Sequence, residues 1–153
     1  MDKKQLIDSA NFLIKVSETS SNEYALKTDQ LIAAMNTAML ERPDIESLVG
    51  KNNLPMMKDN HANHVRFIAS ILKNPNADVL VETILWVFRA YRSHGFTTNY
   101  WAAQLNTWLV VLKSTLSPEG FQEVYPYYEW MLINIPIFVN LSDQKLDAPN
   151  SLH

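Results

Sequence analysis

The sequence predicts an all-α protein with a globin-like fold of about six to seven helices. Apolar residues recur at helical spacing along most of the chain, the apolar–polar alternation of a half-buried strand is missing, and N-capping residues, prolines and glycines separate the segments. Six or seven helices of unequal length favour a globin-like arrangement over a four-helix bundle. We expect a single globin-like domain over 1–142, with an extra N-terminal helix within 1–18 and a flexible tail over 143–153.

The N-terminal half predicts three helices. The first is indicated by an apolar stripe of Leu6, Ile7, Ala10, Leu13 and Ile14. Ser20 or Ser21 is the expected N-cap of the second helix, which Pro43 ends. Pro55 is typical of the first turn of a third, long helix, and the sequence 74–76 breaks it.

The C-terminal half predicts three or four more helices. A fourth covers about 78–94 and ends at Gly95, a residue suited to the left-handed conformation after a helix. A fifth begins after Thr97 or Thr98 and reaches about Leu116. Ser117 opens a sixth, which two prolines kink or end, Pro126 and Pro136.

Composition excludes several classes of function. The 153 residues include no cysteine, which removes disulfides, thiol catalysis, cysteine-ligated metals and thioether-linked cofactors. Only three glycines are present, so a Gly-rich phosphate loop is not expected. A net charge of −3 gives no nucleic-acid signature. No apolar run approaches the length of about 18 residues that suggests a membrane span, and no signal-peptide pattern appears, so we expect a cytoplasmic protein.

Histidine supplies most of the available chemistry. His61 and His64 lie three residues apart on one predicted helix face, with Asp59 just before them. Two histidines at this spacing can bind one metal ion together. The alternative is that both imidazoles make hydrogen bonds at the edge of a packed face. His94 ends an apolar helix and is either a ligand or a partner of the helix dipole. No nucleophile stands beside a base, because Ser93 and His94 point in different directions on a helix, so no enzyme activity is expected.

Aromatic residues are dense between Trp86 and Trp108. Such a cluster is either plain core or the wall of a pocket for a flat conjugated ligand. Three arginines lie nearby in the sequence: Arg66, Arg89 and Arg92. Their guanidinium groups either bind carboxylates of a ligand or are solvated charges on the helix surface.

Three segments in the middle of the chain, 65–72, 76–80 and 89–95, resemble the phycobiliprotein branch of the globin-like superfamily. They are similar to the end of that family's chromophore helix, the turn after it, and a Tyr-containing segment that stops at a glycine. The resemblance implies a bound bilin. The family's attachment cysteine is replaced by Met57, so the bilin would be held without a covalent bond, and Asp59 would accept from its pyrrole nitrogens.

The order His94, a short turn and Tyr100 is also similar to the proximal region of oxygen-binding globins. The interval from His64 to His94 resembles the one between their distal and proximal histidines. This second resemblance implies haem, with His94 on the iron and His64 or His61 on the opposite face. Cofactor-free globin-like sensor domains, such as those of bacterial stressosome proteins, keep the fold without a cofactor, so the fold alone does not imply a tetrapyrrole.

We therefore expect a cytoplasmic globin-like sensor or pigment carrier that binds a tetrapyrrole, either a bilin such as biliverdin or haem, without a covalent bond. The expected binding residues are Met57, Asp59, His61, His64, Ile68, Phe88, Tyr91, His94, Tyr100 and Trp101. Arg66, Arg89 and Arg92 are the candidates for the propionates, and His94 is a metal ligand only for haem.

Two alternatives stay open. With or without a cofactor we expect a homodimer, with the face supplied by Leu6, Ile7, Leu13 and Ile14. The first alternative is a cofactor-free signalling module in which an exposed helix face forms a dimer or docks a signalling protein. The second is a metal-dependent enzyme at His61 and His64. Neither a membrane nor a nucleic-acid partner is expected.

Overall fold

The computed structural model describes residues 1–146, with side chains through 144. Helices account for 80% of the described residues, and no strand occurs among them, which confirms the all-α class. The helices are α1 (Lys3–Ala10), α2 (Glu18–Leu26), α3 (Thr28–Leu40), α4 (Ile45–Val49), α5 (Leu54–Lys73), α6 (Ala77–Ser93), α7 (Asn99–Thr115), α8 (Pro118–Ile133) and α9 (Ile135–Leu146).

The described residues thus form nine helices, not the predicted six to seven. The second predicted helix divides at Lys27, whose φ of −96° and ψ of 12° leave the helical region. It is capped by Ser17, while Ser20 and Ser21 are buried inside α2. The stretch between α3 and α5 contains the short α4, and the C-terminal prediction divides at Asn134.

Both ends of the chain differ from the prediction. The first helix ends at Ala10 and does not reach Ile14, because Asn11, a residue that competes for local hydrogen bonds, caps it. At the other end, α9 continues to Leu146, so the helix extends into the predicted tail. Asp143 on this extension pairs with Arg92 of α6. The rest of the predicted tail, 147–153, lies outside the described residues.

The middle of the chain follows its local signals closely. Pro55 lies in the first turn of α5, and Pro118 in the first turn of α8. Gly95 has a φ of +103°, a value that side chains rarely tolerate. Pro126 lies within α8 without ending it. Pro55, Gly95 and Pro118 therefore mark the helix boundaries that the sequence predicts for this region, whereas Pro126 marks none.

The helices pack around one core. Helix α6 lies against α1 and α9, while α7 contacts α3 and α8, and α5 contacts α2 and α3. The largest fully buried side chains come from most of these elements and include Trp108, Tyr24, Tyr100, Tyr128 and Phe138. None of the helices in the described residues combines the length and the hydropathy needed to cross a membrane.

Helices α2 and α8 cap each other through a pair of serines and glutamates, which we call the Ser–Glu clasp (Ser17, Glu23, Ser117 and Glu123). Glu123 accepts from the backbone nitrogen of Ser17 at 2.7 Å and from its hydroxyl at 2.9 Å. Glu23 accepts from the backbone nitrogen of Ser117 at 2.6 Å and from its hydroxyl at 2.7 Å. Each carboxylate therefore satisfies the N-terminus of the other helix, where negative charge is favourable.

Candidate ligand-binding cavity

A cavity of about 210 Å³ lies between α5, α6 and α7, and residues of α8 and α9 complete its wall. Most of this wall is apolar. The apolar and aromatic residues on it are Phe67, Ile68, Ile84, Trp86, Val87, Phe88, Trp101, Leu105, Met131 and Phe138. Trp86 is 55% exposed and the cavity opens to solvent on one side, so a ligand can enter without unfolding the core.

The aromatic wall has a defined geometry. The ring of Phe88 stacks on that of Trp101, with centroids 4.2 Å apart and planes 9° from parallel. Phe138 contacts Phe88 with a centroid distance of 5.4 Å. Trp101 is 2% exposed, and its buried Nε1 atom has no hydrogen-bond partner among the described residues. An unpaired buried N–H of this kind lowers the stability of the fold.

Polar groups gather at one part of the cavity, which we call the amide corner (Asn60, Asn63, Tyr91 and Gln104). The Oδ1 atom of Asn60 accepts from the Tyr100 hydroxyl at 2.7 Å and from Gln104 Nε2 at 2.9 Å. Burial raises the pKa of Tyr91, and hydrogen bonds from Asn63 and Asn60 partly counter this. The corner is therefore neutral at pH 7, and none of the described residues on the wall carries a charged side chain.

His64 is the imidazole on the cavity wall. Its Nε2 atom lies 2.7 Å from the Tyr128 hydroxyl, which in turn lies 2.6 Å from the Tyr24 hydroxyl. Its ring stacks on Trp108 at a centroid distance of 4.9 Å. Burial, together with the neighbouring His61, lowers the pKa of His64 to about 3, so this side chain is neutral at physiological pH.

His61 is buried and points to a different neighbour. Its Nδ1 atom lies 2.7 Å from Asn36 Oδ1, and burial lowers its pKa to about 4. Its Nε2 atom has no partner among the described residues. No group of three potential metal ligands occurs in the part of the chain that the structure describes, so the geometry adds no third ligand to the two histidines.

The structure brings together half of the residues expected to bind the ligand. Five of the ten line the cavity: His64, Ile68, Phe88, Tyr91 and Trp101. Met57, His61 and Tyr100 are buried but lie outside the cavity wall, and Asp59 and His94 are exposed. The three arginines also lie outside the wall, and Arg92 is instead paired with Asp143.

His94 lies at the end of α6, where its hydrogen bonds within the described residues are made by its backbone and not by its imidazole. It is the C-cap residue of α6, and its carbonyl accepts from Asn53 Nδ2 at 2.8 Å. Because its side chain does not reach the cavity wall, the structure places no His94 imidazole where an iron inside the cavity would need it.

Sequence reasoning missed the amide corner. A usable signal was present, because Asn60, Asn63, His64 and Phe67 follow the three- and four-residue spacing of one helix face. Gln104 also stood out as a polar residue inside the apolar stripe of α7. The contributions of Met131 and Phe138 depend on the packing of α8 and α9, which no local pattern indicates.

Comparison with known proteins gives no match to a family model, to a curated protein or to a solved structure.

Proposed function

We propose that the protein is a cytoplasmic pigment carrier or sensor that binds one tetrapyrrole of the bilin type without a covalent bond. The observation that carries the proposal is the uncharged aromatic cavity with the neutral amide corner on its wall. A flat, conjugated and mostly apolar ligand gains from burial against such walls, while a few polar groups fix its orientation.

The size of the cavity favours a linear tetrapyrrole over a closed macrocycle. Its volume of about 210 Å³ is below the range of about 300–1,000 Å³ that encloses a drug-sized ligand. The cavity therefore holds one end of the pigment, and the other rings lie at the open side near Trp86 and Phe67. Rotation about the bridges between its rings lets a bilin follow this shape, whereas a rigid porphyrin plane does not.

The histidine geometry also favours a bilin over haem. A haem iron needs an axial ligand. His94 lies outside the cavity wall, and the Nε2 atom of His64 is already in a hydrogen bond with Tyr128. A bilin requires no such ligand, and its propionates stay in solvent because no charged side chain lines the described wall.

Parallel titrations with biliverdin and haem, followed by visible absorption and by tryptophan fluorescence, test the proposal. We expect saturable binding of biliverdin with a shifted visible band. The variant Thr83→Trp places a large ring on the cavity wall and should weaken biliverdin binding by about tenfold or more, which corresponds to about 1.4 kcal/mol.

The matched control is Val110→Trp, because Val110 is 70% exposed on α7 and lies outside the cavity wall. This variant should bind biliverdin as the original protein does. Absence of biliverdin binding, or an equal loss in both variants, would contradict the proposed site.

A second candidate function, the cofactor-free dimer module, is favoured by one observation. Phe12 and Ile14 are 85% and 83% exposed on the segment after α1. Of the dimer face expected from the sequence, Ile14 is exposed and Ile7 and Leu13 are half-buried, while Leu6 is fully buried in the core of its own chain. Phe12 was not expected in this face. Light scattering that shows a dimer converted to a monomer by Phe12→Ser with Ile14→Ser would support this function.

A further inference from the structure

We propose that Asn60 and Gln104 recognise a lactam edge of the ligand, in which an N–H and a C=O lie side by side in the plane of a ring. The inference rests on the proposed function and names the chemical group that the same cavity selects. Such edges occur at both ends of a bilin, and also on flavins and oxopurines.

The two amides leave part of their hydrogen-bonding capacity unused. Asn60 and Gln104 are 3% and 2% exposed, and both line the cavity. Between themselves they use one acceptor and one donor, Asn60 Oδ1 and Gln104 Nε2, at 2.9 Å. Among the described residues, Gln104 Oε1 has no hydrogen-bond partner in the structure. The Tyr91 hydroxyl accepts a hydrogen bond from at most one of the two hydrogens on Asn60 Nδ2, so the other hydrogen is left to donate to a ligand.

The pair therefore presents one donor and one acceptor to the cavity. Reversing both amides, as their near-identical shape allows, exchanges the two roles but still leaves a donor and an acceptor. A ligand edge with a neighbouring N–H and C=O satisfies both atoms at once. A carboxylate satisfies only the donor, and it would also lose its hydration in an uncharged cavity.

The surroundings fit a ring that carries this edge. Phe88 and Trp101 form a parallel aromatic pair on the cavity wall, against which a flat ring can pack. Because buried polar groups that lose their partners are costly, such a site rejects a ligand of equal size that lacks the edge.

Three probes separate the ligand classes. Biliverdin dimethyl ester keeps both lactams and lacks free carboxylates, protoporphyrin IX is a tetrapyrrole without a lactam, and lumiflavin has a lactam-type edge without being a tetrapyrrole. Dissociation constants come from tryptophan fluorescence quenching. We expect the ester to bind at least tenfold more tightly than protoporphyrin IX, because its linear shape follows the cavity and its lactam completes the hydrogen bonds, and the Gln104→Met variant separates the two causes.

The variant Gln104→Met removes both polar atoms of the side chain at nearly constant size, and Asn60 keeps its bond from Tyr100. It should weaken binding of the ester by about tenfold and change protoporphyrin IX by less than about threefold. Val110→Met, on the exposed face of the same helix, is the matched control and should change neither.

Each result decides between the two proposals. An unchanged affinity for the ester in Gln104→Met, or an equal loss of the ester and protoporphyrin IX, overturns the lactam inference and leaves the pigment-binding proposal standing. Binding of lumiflavin alone overturns the bilin proposal but supports the lactam edge. Binding of none of the probes overturns both. If Gln104→Met fails to fold, the original protein is titrated with biliverdin dimethyl ester and with its bis-lactim methyl ether, which keeps the linear shape and lacks the lactam N–H. Equal binding of these two probes overturns the lactam inference.

Discussion

His61 and His64 contact the indole of Trp108 from two directions. The His61 ring meets it edge-on at a centroid distance of 6.0 Å, and the His64 ring stacks on it at 4.9 Å. Each imidazole makes one neutral hydrogen bond, to Asn36 or to Tyr128. The arrangement holds both rings uncharged, because a proton on either would place a charge in a poorly solvated part of the core.

This neutrality predicts a pH dependence of stability. The folded-state pKa values of His61 and His64 are about 4 and about 3, below the ordinary value of 6.5. As pH falls below 6.5, the unfolded chain binds protons that the folded chain does not. The free energy of unfolding therefore decreases by up to about 1.4 kcal/mol per pH unit for each histidine until the folded-state pKa is reached.

Chemical denaturation between pH 7 and pH 5.5 measures this slope, because nearer to pH 4.5 the carboxylates of Glu23 and Glu123 add a slope of their own. His64→Phe keeps an aromatic ring against Trp108 and removes one titrating group, so the slope should fall by about half. His94→Gln, which removes an exposed imidazole, is the control. An unchanged slope in His64→Phe would show that protonation of His64 is not coupled to unfolding.

The Ser–Glu clasp links two helices that lie far apart in the sequence. In both helices the capping serine precedes the glutamate by six residues, so the two halves of the clasp have the same local geometry. Lys27 adds an ion pair to Glu23 at 2.7 Å. Burial alone would raise the pKa of Glu23, but hydrogen bonds from Lys27 and Ser117 outweigh it, so the pKa is lowered. Hydrogen bonds from Ser20 and Ser17 lower the pKa of Glu123. The clasp therefore stabilises the fold above the ordinary carboxyl pKa and loses this effect as pH falls below it.

Gly120 leaves the space that the clasp needs. We therefore expect Gly120→Ala to change the free energy of unfolding in the direction opposite to that usual for a helix. A Cβ at this position would overlap Glu23 Oε1, which is bonded to Ser117. Alanine in a helix is usually better than glycine by about 1 kcal/mol. Gly120→Ala should nevertheless lower the free energy of unfolding by about 1–2 kcal/mol, because the displaced carboxylate loses its charge-assisted bonds.

In a Glu23→Ala background the same substitution meets no carboxylate and should raise the free energy of unfolding, by up to about 1 kcal/mol. Urea denaturation of the four proteins of this cycle measures the coupling. A gain in stability from Gly120→Ala in both backgrounds would mean that the clasp contributes little.

At the scale of whole helices, local sequence signals predicted the helices in the middle of the chain well. They did not predict the breaks that divide longer predicted helices in two. Capping residues and prolines mark physical ends of a helix, so α5, α6 and α7 begin and end close to the predicted positions. The break at Lys27 contains neither proline nor glycine, and it depends on how α2 and α3 pack in the folded chain. Sequence periodicity cannot show such a change of direction.

The cavity belongs to the whole molecule, because helices from both halves of the chain form its wall. The aromatic residues of α6 and α7 were predictable as a cluster, since their spacing places them on facing helix surfaces. Phe138 joins them from α9, where it packs on Phe88 and on Trp130. Only the folded chain brings this ring to the cavity, which is why the sequence indicated a pocket but not its full wall.

Phe138 also gives a prediction for the molecule as a whole. It is 1% exposed, so Phe138→Ala should lower the free energy of unfolding by about 3–5 kcal/mol, as the loss of a large core side chain usually does. Ile133→Ala, at a residue that is 66% exposed, should change it by less than about 0.5 kcal/mol. Urea denaturation of both variants checks the difference, and similar small effects would mean that α9 is not part of the cooperative core.

The clasp has a consequence for how the molecule opens. Ser17 and Glu123 are separated by 106 positions, and Ser117 and Glu23 by 94. Local fraying at the start of α2 removes donors from a glutamate on α8, and fraying of α8 does the same to α2. Amide protons in the first turns of the two helices should therefore exchange with deuterium at matched rates, as one cooperative unit that joins the two ends of the chain.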